Sequence, residues 1–370
     1  MTDRGGVLPS QALAALRAGG HIIGSHDEAQ IQPASLDLTV GEEGYAVPGS
    51  MLPLPGERVR DLVRSVARRQ LDLSRPEVLV RGEVYVVRLQ ERADLPRALR
   101  AYANSKSSTG RIDLQTRLLV DGSPRYDKVP PGYVGPLWLE LIPKSFDIRL
   151  RAGDSLNQAI FFEERKLSRQ EALGQLHEAH PLLFRRDGDP IPVERWPRHD
   201  GPGLLMSIDL DLEVVGYVAK KSPSPVDLRS RDLPPEDFFD PIPRPRNGSL
   251  FLSREAFYIF CTAERLSVPK THAVEMLPYD TSAGEFRAHY AGFFDPGFGY
   301  GAEGEVGGTA AVLEVRPYED DLILRHGQPV CQMAYEALQT TPERLYGLLP
   351  GSHYAHQRGP RLSKFFRDVA

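Results

Sequence analysis

The stretch SLDLTVGEEGYAV (Ser35–Val47) returns later in the chain as SIDLDLEVVGYVA (Ser207–Ala219). Two further blocks repeat in the same order: EVYVVRLQERADLP (Glu83–Pro96) as AFYIFCTAERLSVP (Ala256–Pro269), and LRAGDSLNQAIFFE (Leu150–Glu163) as LRHGQPVCQMAYE (Leu324–Glu336). The copies lie 172 to 174 residues apart in all three blocks. Three ordered repeats at a nearly constant spacing indicate two copies of one unit, each about 150 to 170 residues long.

Each copy has the pattern of short strands. Segments such as GPLWLELI (135–142) and TAAVLEVR (309–316) alternate apolar with other residues and have turn residues on both sides. The 32 prolines and 33 glycines favour many turns and few long helices. Helical spacing of apolar residues predicts three helices: Ser10–Gly20, Glu57–Leu71 and Ser168–His180. The sequence therefore predicts a mainly β fold with a few short helices.

The composition limits the classes of function. The chain has 370 residues, 41% of them hydrophobic, which suffices for two domains with sizeable cores. The net charge of −5 argues against a nucleic acid polymer as partner, because such proteins carry a basic face. Cys261 and Cys331 are the only cysteines and indicate a reducing compartment. No stretch has the length of a membrane-spanning helix or a signal-peptide core, so we expect a cytoplasmic protein without a membrane partner.

The segment NSKSSTGRIDL (Asn104–Leu114) places a lysine, three hydroxyls, a glycine and an arginine side by side. Lys106 and Arg111 can neutralise phosphate oxygens, and the hydroxyls of Ser107 and Ser108 can donate hydrogen bonds to them. A polar surface turn that leads into a strand is the alternative interpretation. The segment alone does not decide between an anion site and such a turn.

Each copy also has one glutamate between apolar neighbours on a predicted strand: Glu140 in LWLELIP and Glu314 in AVLEVRP. An outward-facing charge on an alternating strand is the simpler interpretation of either one. A partly buried carboxyl group has a raised pKa, which suits a proton shuttle near neutral pH. The occurrence of such a glutamate in both copies favours the functional interpretation.

Five motifs in chain order resemble those of the dCTP deaminases, which are relatives of the trimeric dUTPases. They are IQPASLDLTVG (Ile31–Gly41), SKSSTGRIDL (Ser105–Leu114), AGFFDPGF (Ala291–Phe298), AAVLEV (310–315) and SHYAHQRGPRLSKF (Ser352–Phe365). The resemblance covers most of the chain, once per copy, and implies two tandem dUTPase-like distorted β-barrels. We place the first barrel at 1–185, a linker rich in proline, glycine and charge at 186–203, and the second barrel with a nucleotide-covering tail at 204–370.

The resemblance implies a reaction in which water displaces the 4-amino group of dCTP, giving dUTP and ammonia in pyrimidine deoxynucleotide biosynthesis. In that family the motif glutamate carries protons, a serine and an arginine come from a neighbouring barrel, and Mg²⁺ accompanies the triphosphate. No zinc takes part. Zinc deaminases carry H-x-E and P-C-x-x-C motifs, which Cys261 and Cys331 cannot form. The histidines of HEAH (His177–His180) have no third ligand nearby, so a solvent-exposed helix face is the favoured interpretation.

The two copies depart from the family motifs in complementary ways. The first copy keeps the serine motif but has Pro130 where the family has an aspartate before Pro-Gly. The second copy keeps that aspartate and the tail, but Glu285 stands where the arginine of the serine motif is expected. We therefore predict that the first copy supplies the serine and arginine, and the second supplies the glutamate, the turn and the tail.

This division gives a specific set of site residues. The predicted catalytic residues are Glu314, Ser107, Arg111 and, as a remnant or as the base of a second site, Glu140; the predicted substrate-binding residues are Lys106, Ser108, Asp295, Gly292, His353, Tyr354 and Gln357. His289, near the turn, is a further candidate for the pyrimidine pocket.

Alternative functions remain open at this point. The enzyme can hydrolyse dUTP further to dUMP, it can be a dUTPase-like pyrophosphatase without deamination, or it can be an inactive nucleotide-binding regulatory homologue. Glu285, and lysine at position 106 in place of arginine, favour the interpretation as an inactive homologue. The family's three-fold assembly favours a homo-oligomer, with a trimer as the first choice. The expected ligand is a small nucleotide, dCTP or dUTP, with Mg²⁺ on its triphosphate and no metal held by protein side chains.

Overall fold

β-Branched and aromatic residues, separated by glycine and proline turns, form strands through most of the chain. A computed structural model of the chain describes residues 5–24, 27–199, 201–279, 292–349 and 352–368. Strands far outnumber helices among these residues, so the predicted mainly β fold is confirmed. No helix in the described ranges is long and apolar enough to cross a membrane.

The regular elements of the described residues are numbered here in chain order. The α-helices are α1 (Ser10–Ala18), α2 (Val59–Val66), α3 (Ser107–Gly110) and α4 (Gln170–Ala179). The strands up to Phe162 are β1 (Ile22–Ile23), β2 (Leu36–Val47), β3 (Arg69–Asp72), β4 (Glu77–Leu79), β5 (Val84–Asp94), β6 (Arg100–Ser105), β7 (Leu114–Val120), β8 (Lys128–Val129), β9 (Val134–Pro143), β10 (Ile148–Leu150) and β11 (Ser155–Phe162). The later strands are β12 (Leu183–Phe184), β13 (Leu204–Ser207), β14 (Val214–Ala219), β15 (Val226–Asp227), β16 (Phe239–Pro243), β17 (Ser249–Leu252), β18 (Tyr258–Leu266), β19 (His272–Pro278), β20 (Phe293–Phe294), β21 (Thr309–Val315), β22 (Leu322–Arg325) and β23 (Pro329–Ala337).

Three of the four helices occur where apolar spacing predicts them. Helix α1 starts directly after its N-cap residue Pro9, which has an extended backbone, and ends at Ala18, before the C-cap residue Gly19. Helix α2 is shorter than predicted, because β3 begins at Arg69. Val59 of α2 is buried, as the apolar stripe predicts, whereas Val66 at the end of that stripe is 39% exposed.

The described chain divides into two units. Unit 1 comprises Met1–Glu164, Lys221–Asp237 and Ser363–Ala370, and unit 2 comprises Arg165–Lys220 and Phe238–Leu362. The segments Lys221–Asp237 and Ser363–Ala370 come from the second repeat by sequence but belong to unit 1. The domain limits predicted from the sequence do not include this exchange.

A nine-stranded sheet forms the body of unit 1. Its strands run in the order β7-β9-β5-β2-β11-β6-β8, with β1 beside β5 and β3 beside β2. The register of β2 on β5 shifts between Val40 and Gly44. No side chain fits at Gly41 in this bulge, because a Cβ atom there would lie 2.8 Å from the Arg88 carbonyl oxygen. Such a bulge increases the local twist and curls the sheet toward a barrel. A second sheet, β15-β10-β4, includes β15 of the segment 221–237.

Unit 2 has two main sheets. One runs β12-β18-β14-β16 with β21 beside β18, and the other runs β13-β23-β19-β20. Apolar side chains from both sheets form its core. The strand registers of the two units correspond, because β5 and β9 pair Val86 with Glu140 while β18 and β21 pair Ile259 with Glu314. The two glutamates therefore occupy equivalent positions, as the internal duplication predicts.

Candidate functional site

The segment 106–111 of unit 1 contains α3, a single helical turn between β6 and β7. The Lys106 N–H donates to the Leu156 carbonyl oxygen at 3.0 Å, and the Thr109 N–H donates to the Lys106 carbonyl oxygen at 2.8 Å. Arg111 is 3% exposed, and Ser107 is half-buried. These backbone bonds fix the positions of the hydroxyls and of the arginine, so the segment is more ordered than a simple surface turn.

Two residues that the sequence analysis did not single out contact this segment. Lys106 forms an ion pair with the buried carboxylate of Asp37 on β2. Ser363 Oγ donates to the Ser108 carbonyl oxygen at 2.8 Å. Because Ser363 belongs to unit 1, the end of the tail contacts the predicted phosphate-binding segment within that unit.

Lys364, the next residue of the tail, lies among charged groups. Burial lowers the pKa of Lys364 to about 8, Lys106 and Arg231 act in the same direction, and Asp37 opposes them. Nearby cations disfavour the protonated ammonium because like charges repel. The cations Lys106 and Arg231 and the carboxylate of Asp37 therefore act on Lys364, and these cationic groups suit an anionic ligand.

Glu140 of β9 is fully buried, and groups from its own unit surround its carboxylate. Ser50 Oγ donates to Oε1 at 3.1 Å, Tyr126 Oη lies 3.4 Å from Oε2, and Arg117 Nη1 lies 3.5 Å from Oε1. Burial raises the pKa of Glu140, and Arg117 opposes that shift. Burial also raises the pKa of the neighbouring Asp127 to about 7. Three side chains of unit 1 thus contact the Glu140 carboxylate.

The segment before α2 also contributes to the surroundings of this glutamate. The Tyr126 hydroxyl also lies 3.3 Å from the Met51 carbonyl oxygen, and the Arg117 guanidinium lies over the Tyr126 ring at 4.8 Å from its centre. Val59 of α2 packs in the same apolar cluster as Trp138 of β9. The region 48–66, which includes Met51 and α2, therefore covers the glutamate of the first repeat.

Glu314 of β21 is 5% exposed in unit 2, and the tail runs beside its strand. Gln357 Nε2 donates to the Ala310 carbonyl oxygen at 2.5 Å, and Thr309 Oγ1 donates to the Ala355 carbonyl oxygen at 3.0 Å. The tail is thereby attached to the first residues of the strand that carries Glu314.

The turn that contains Asp295 follows β20 in unit 2. Gly297 has a φ of +100°, and a Cβ atom there would lie 2.6 Å from the Tyr346 carbonyl oxygen, so the turn requires glycine. The Met276 N–H donates to the Gly292 carbonyl oxygen at 2.8 Å. These contacts fix Gly292 and the buried Asp295 at the two ends of β20.

The structure places the predicted site residues in two groups. Unit 1 holds Lys106, Ser107, Ser108 and Arg111 in one turn, and Glu140 on β9; unit 2 holds Gly292, Asp295, Glu314, the exposed His353, and the buried Tyr354 and Gln357. Glu285 and His289 lie outside the described residues. The site residues predicted from the sequence did not include Asp37, Arg231 and Lys364. Lys364 lies near the end of the tail motif, so the motif could have identified it as a site residue. Arg231 lies in a proline-rich stretch that matches no motif. Within the described ranges, no group of three His, Cys, Asp or Glu residues is placed to hold a metal ion.

Comparison with known proteins gives consistent matches to both repeats. The family profile of the 2′-deoxycytidine 5′-triphosphate deaminase N-terminal domain matches residues 4–165, and that of the C-terminal domain matches residues 169–366. The crystal structure of 2′-deoxycytidine 5′-triphosphate deaminase from Agrobacterium tumefaciens has 40% sequence identity and a TM-score of 0.85, over 93% of this chain and 99% of that chain. A search of curated proteins finds no match.

Proposed function

The chain belongs to the 2′-deoxycytidine 5′-triphosphate deaminase family, and from this premise we propose that Glu314 carries protons in the reaction while Ser107 and Arg111 stabilise the reacting group. In this reaction water adds to C4 of the cytosine ring of dCTP, the C4–N bond breaks, and dUTP and ammonia are released. The observation that carries the proposal is the match of both family domains to a chain whose two repeats place Glu140 and Glu314 in equivalent registers.

Glu314 is the proposed proton carrier. Water is a poor nucleophile and ammonia a poor leaving group, so both steps need proton transfer near neutral pH. Glu314 accepts a proton from the attacking water as the C4–O bond forms, and it delivers this proton to N3, which receives the electron pair of the opened C4=N3 double bond. It then moves the proton of the new C4 hydroxyl to the amino group, so that the C4–N bond breaks, ammonia leaves and the C4 carbonyl of dUTP forms. The pairing of β21 with β18 fixes the backbone of Glu314, and the residue is only 5% exposed, so its carboxylate is largely desolvated.

Ser107 and Arg111 are the proposed donors. Charge that develops at the reacting centre is best stabilised by donors that are already in position. The backbone bonds of the 106–111 turn provide that order. Lys106 and Ser108 bind phosphate oxygens in this proposal, and the Mg²⁺ ion arrives with the triphosphate as part of the substrate.

The turn and the tail of unit 2 are proposed to position the nucleotide. Gly292 and Asp295 are held at the ends of β20, and Gln357 is held against β21 by its bond to the Ala310 carbonyl oxygen. Tyr354 and Gln357 are buried, whereas His353 is exposed. The proposed substrate-binding residues of this unit are Gly292, Asp295, His353, Tyr354 and Gln357.

The surroundings of Glu140 favour a structural role over a second catalytic centre. A general base must reach the proton that it removes, directly or through one water molecule. Ser50, Tyr126 and Arg117 instead surround the Glu140 carboxylate. We therefore propose that Glu140 attaches the region 48–66 to the sheet.

Incubation with dCTP and Mg²⁺, with ammonia and pyrophosphate measured separately, tests the reaction. Ammonia alone supports deamination, both products indicate an additional pyrophosphatase step, and pyrophosphate alone contradicts deamination. Glu314→Gln is expected to lower kcat by about 100-fold to 10,000-fold, and Glu140→Gln to keep it within about threefold. The reverse pattern would contradict the role given to Glu314.

We also propose that the chain assembles as a trimer, following the three-fold assembly of the related enzymes. Sedimentation equilibrium measures the mass of the assembly against the 41.2 kDa of one chain. A monomer at assay concentrations would contradict this proposal.

A further inference from the structure

Two segments of the second repeat meet in unit 1. The Leu233 N–H donates to the Phe365 carbonyl oxygen at 3.2 Å, and the Arg367 N–H donates to the Leu233 carbonyl oxygen at 2.9 Å. The Arg231 guanidinium lies over the Phe365 ring, 5.5 Å from its centre. These contacts place Arg231 near Lys364, the residue that precedes Phe365.

The segment 221–237 is fixed to the sheets of unit 1. Its strand β15 pairs in parallel with β10. Arg229 Nε donates to Asp154 Oδ1 at 2.8 Å, and Arg231 Nη1 donates to the Leu228 carbonyl oxygen at 3.2 Å. Arg231 is exposed, yet it is carried by a segment that strand pairing and an ion pair hold in place.

The charges at this place favour an anionic ligand. Lys106, Lys364 and Arg231 are cationic, and Asp37 pairs with Lys106. Repulsion from Lys106 and Arg231 adds to burial in lowering the pKa of Lys364. A bound polyanion would relieve this repulsion and would accept charge-assisted hydrogen bonds from the same groups.

We propose that Arg231, together with Lys364, binds the terminal phosphate of a nucleoside triphosphate and thereby selects triphosphates over monophosphates. This assignment rests on the proposed function, which places other phosphate oxygens on Lys106 and Ser108. The planar guanidinium can donate two parallel hydrogen bonds to a phosphate group, which makes arginine suited to the task. The bond from Ser363 to the Ser108 carbonyl oxygen joins the tail to the phosphate-binding turn.

Calorimetric titration of the full chain with inorganic tripolyphosphate and with dCMP tests the assignment without requiring turnover. Arg231→Gln is expected to weaken tripolyphosphate binding about tenfold or more and to leave dCMP binding within about twofold. Lys221→Gln removes an exposed charge from the same segment and is expected to leave both affinities within about twofold. A change below about twofold for tripolyphosphate in Arg231→Gln, or an equal loss of dCMP binding, overturns the proposal.

Folding of the variant is checked by its thermal midpoint. Because Arg231 is exposed, Arg231→Gln is expected to keep the midpoint of the parent chain. If the midpoint falls, Arg231→Lys provides the test, because lysine keeps the charge and loses the planar fork. It is expected to weaken tripolyphosphate binding by an intermediate factor, and full parental affinity would overturn a bidentate role for Arg231.

Proton uptake is a second readout. At pH 8 about half of the Lys364 side chains are unprotonated in the free chain, so binding of tripolyphosphate is expected to take up protons. The binding heat of the parent should then depend on the ionisation enthalpy of the buffer, and Lys364→Met should lose this dependence. If the Lys364→Met variant still takes up protons when tripolyphosphate binds, Lys364 does not bind the phosphate as proposed. Arg231-dependent binding of tripolyphosphate without ammonia release from dCTP would contradict the proposed function and leave this assignment in place.

Discussion

The protonation of Asp127, a carboxyl group near Glu140, is expected to control the stability of unit 1 at neutral pH. Its carboxylate accepts the Leu118 N–H at 2.7 Å, and its backbone has a φ of 62°. Asparagine keeps the acceptor oxygen and tolerates a positive φ, but it cannot ionise. The substitution Asp127→Asn therefore removes one titratable group with little change in backbone or hydrogen bonding.

The expected magnitude follows from the shifted pKa. Burial raises the pKa of Asp127 from 3.8 to about 7, with the Glu140 charge acting in the same direction and the Leu118 N–H and Arg117 opposing it. The folded state therefore keeps a proton that the unfolded chain has lost. The stability contributed by this group is complete below about pH 4 and is lost as the pH rises through about 7. Three pKa units correspond to about 4 kcal/mol, and solvent screening of a half-buried residue lowers the expected loss to about 2 to 4 kcal/mol.

Urea unfolding near pH 4 and near pH 8 measures this loss. The chain has two tryptophans, and Trp138 is fully buried in unit 1 whereas Trp196 lies in unit 2. A Trp196→Phe background therefore makes the fluorescence report on unit 1. Asp127→Asn is expected to match its parent near pH 4 and to exceed its unfolding free energy by about 2 to 4 kcal/mol near pH 8. Equal differences at both pH values, or a less stable variant near pH 8, would refute the reasoning.

Three other substitutions probe single contacts. Ser107→Ala is expected to lower kcat for dCTP about 100-fold with an unchanged thermal midpoint, because it removes a positioned donor; unchanged turnover contradicts that role. Gly297→Ala is expected to destabilise unit 2 by about 2 kcal/mol in thermal unfolding, because a backbone oxygen occupies the place of a Cβ atom, whereas Gly327→Ala, which has open space around it, should cost less. Arg165→Met is expected to destabilise unit 2 by about 3 to 5 kcal/mol in urea at neutral pH, because it leaves the buried Glu336 without its bidentate partner; a neutral effect would show that Glu336 is satisfied by other groups.

The features that were predictable from the sequence depend on local patterns. Alternating apolar residues in GPLWLELI and TAAVLEVR predict β9 and β21, and the structure has both strands at those positions. The constant spacing of the repeats predicts equivalent places for Glu140 and Glu314, and the strand registers confirm them. Helix α4 was predictable because its apolar residues have helical spacing, and in the structure Leu173 on that apolar face is buried.

The features that were not predictable depend on contacts between distant residues. The segment 221–237 has no strong apolar pattern, and it is held by strand β15 and by the pair of Arg229 with Asp154, which lies far away in sequence. The closure around Glu140 depends on Ser50, a residue in a loop with no repeating period. Neither local propensity nor motif spacing carries information on such pairs, so both had to come from the structure.

Equivalent registers do not make Glu140 and Glu314 equivalent sites. A carboxylate that moves protons must exchange its hydrogen-bond partners during the reaction, and each fixed donor that is lost from a buried carboxylate costs about 1 to 3 kcal/mol. Glu140 has its donors supplied by the region 48–66 and by neighbouring strands, which makes that exchange costly. In the second repeat, the proline-rich stretch 220–248 lies between the blocks 207–219 and 256–269, as the region 48–66 lies between 35–47 and 83–96 in the first. Its residues 221–237 belong to unit 1, where they bring Arg231 beside the tail. One insertion therefore closes a carboxylate and the other adds a cation to the proposed phosphate site. The two repeats thus share one strand pattern, but the segments that pack against their strands differ, and we therefore propose different chemical roles for the two glutamates.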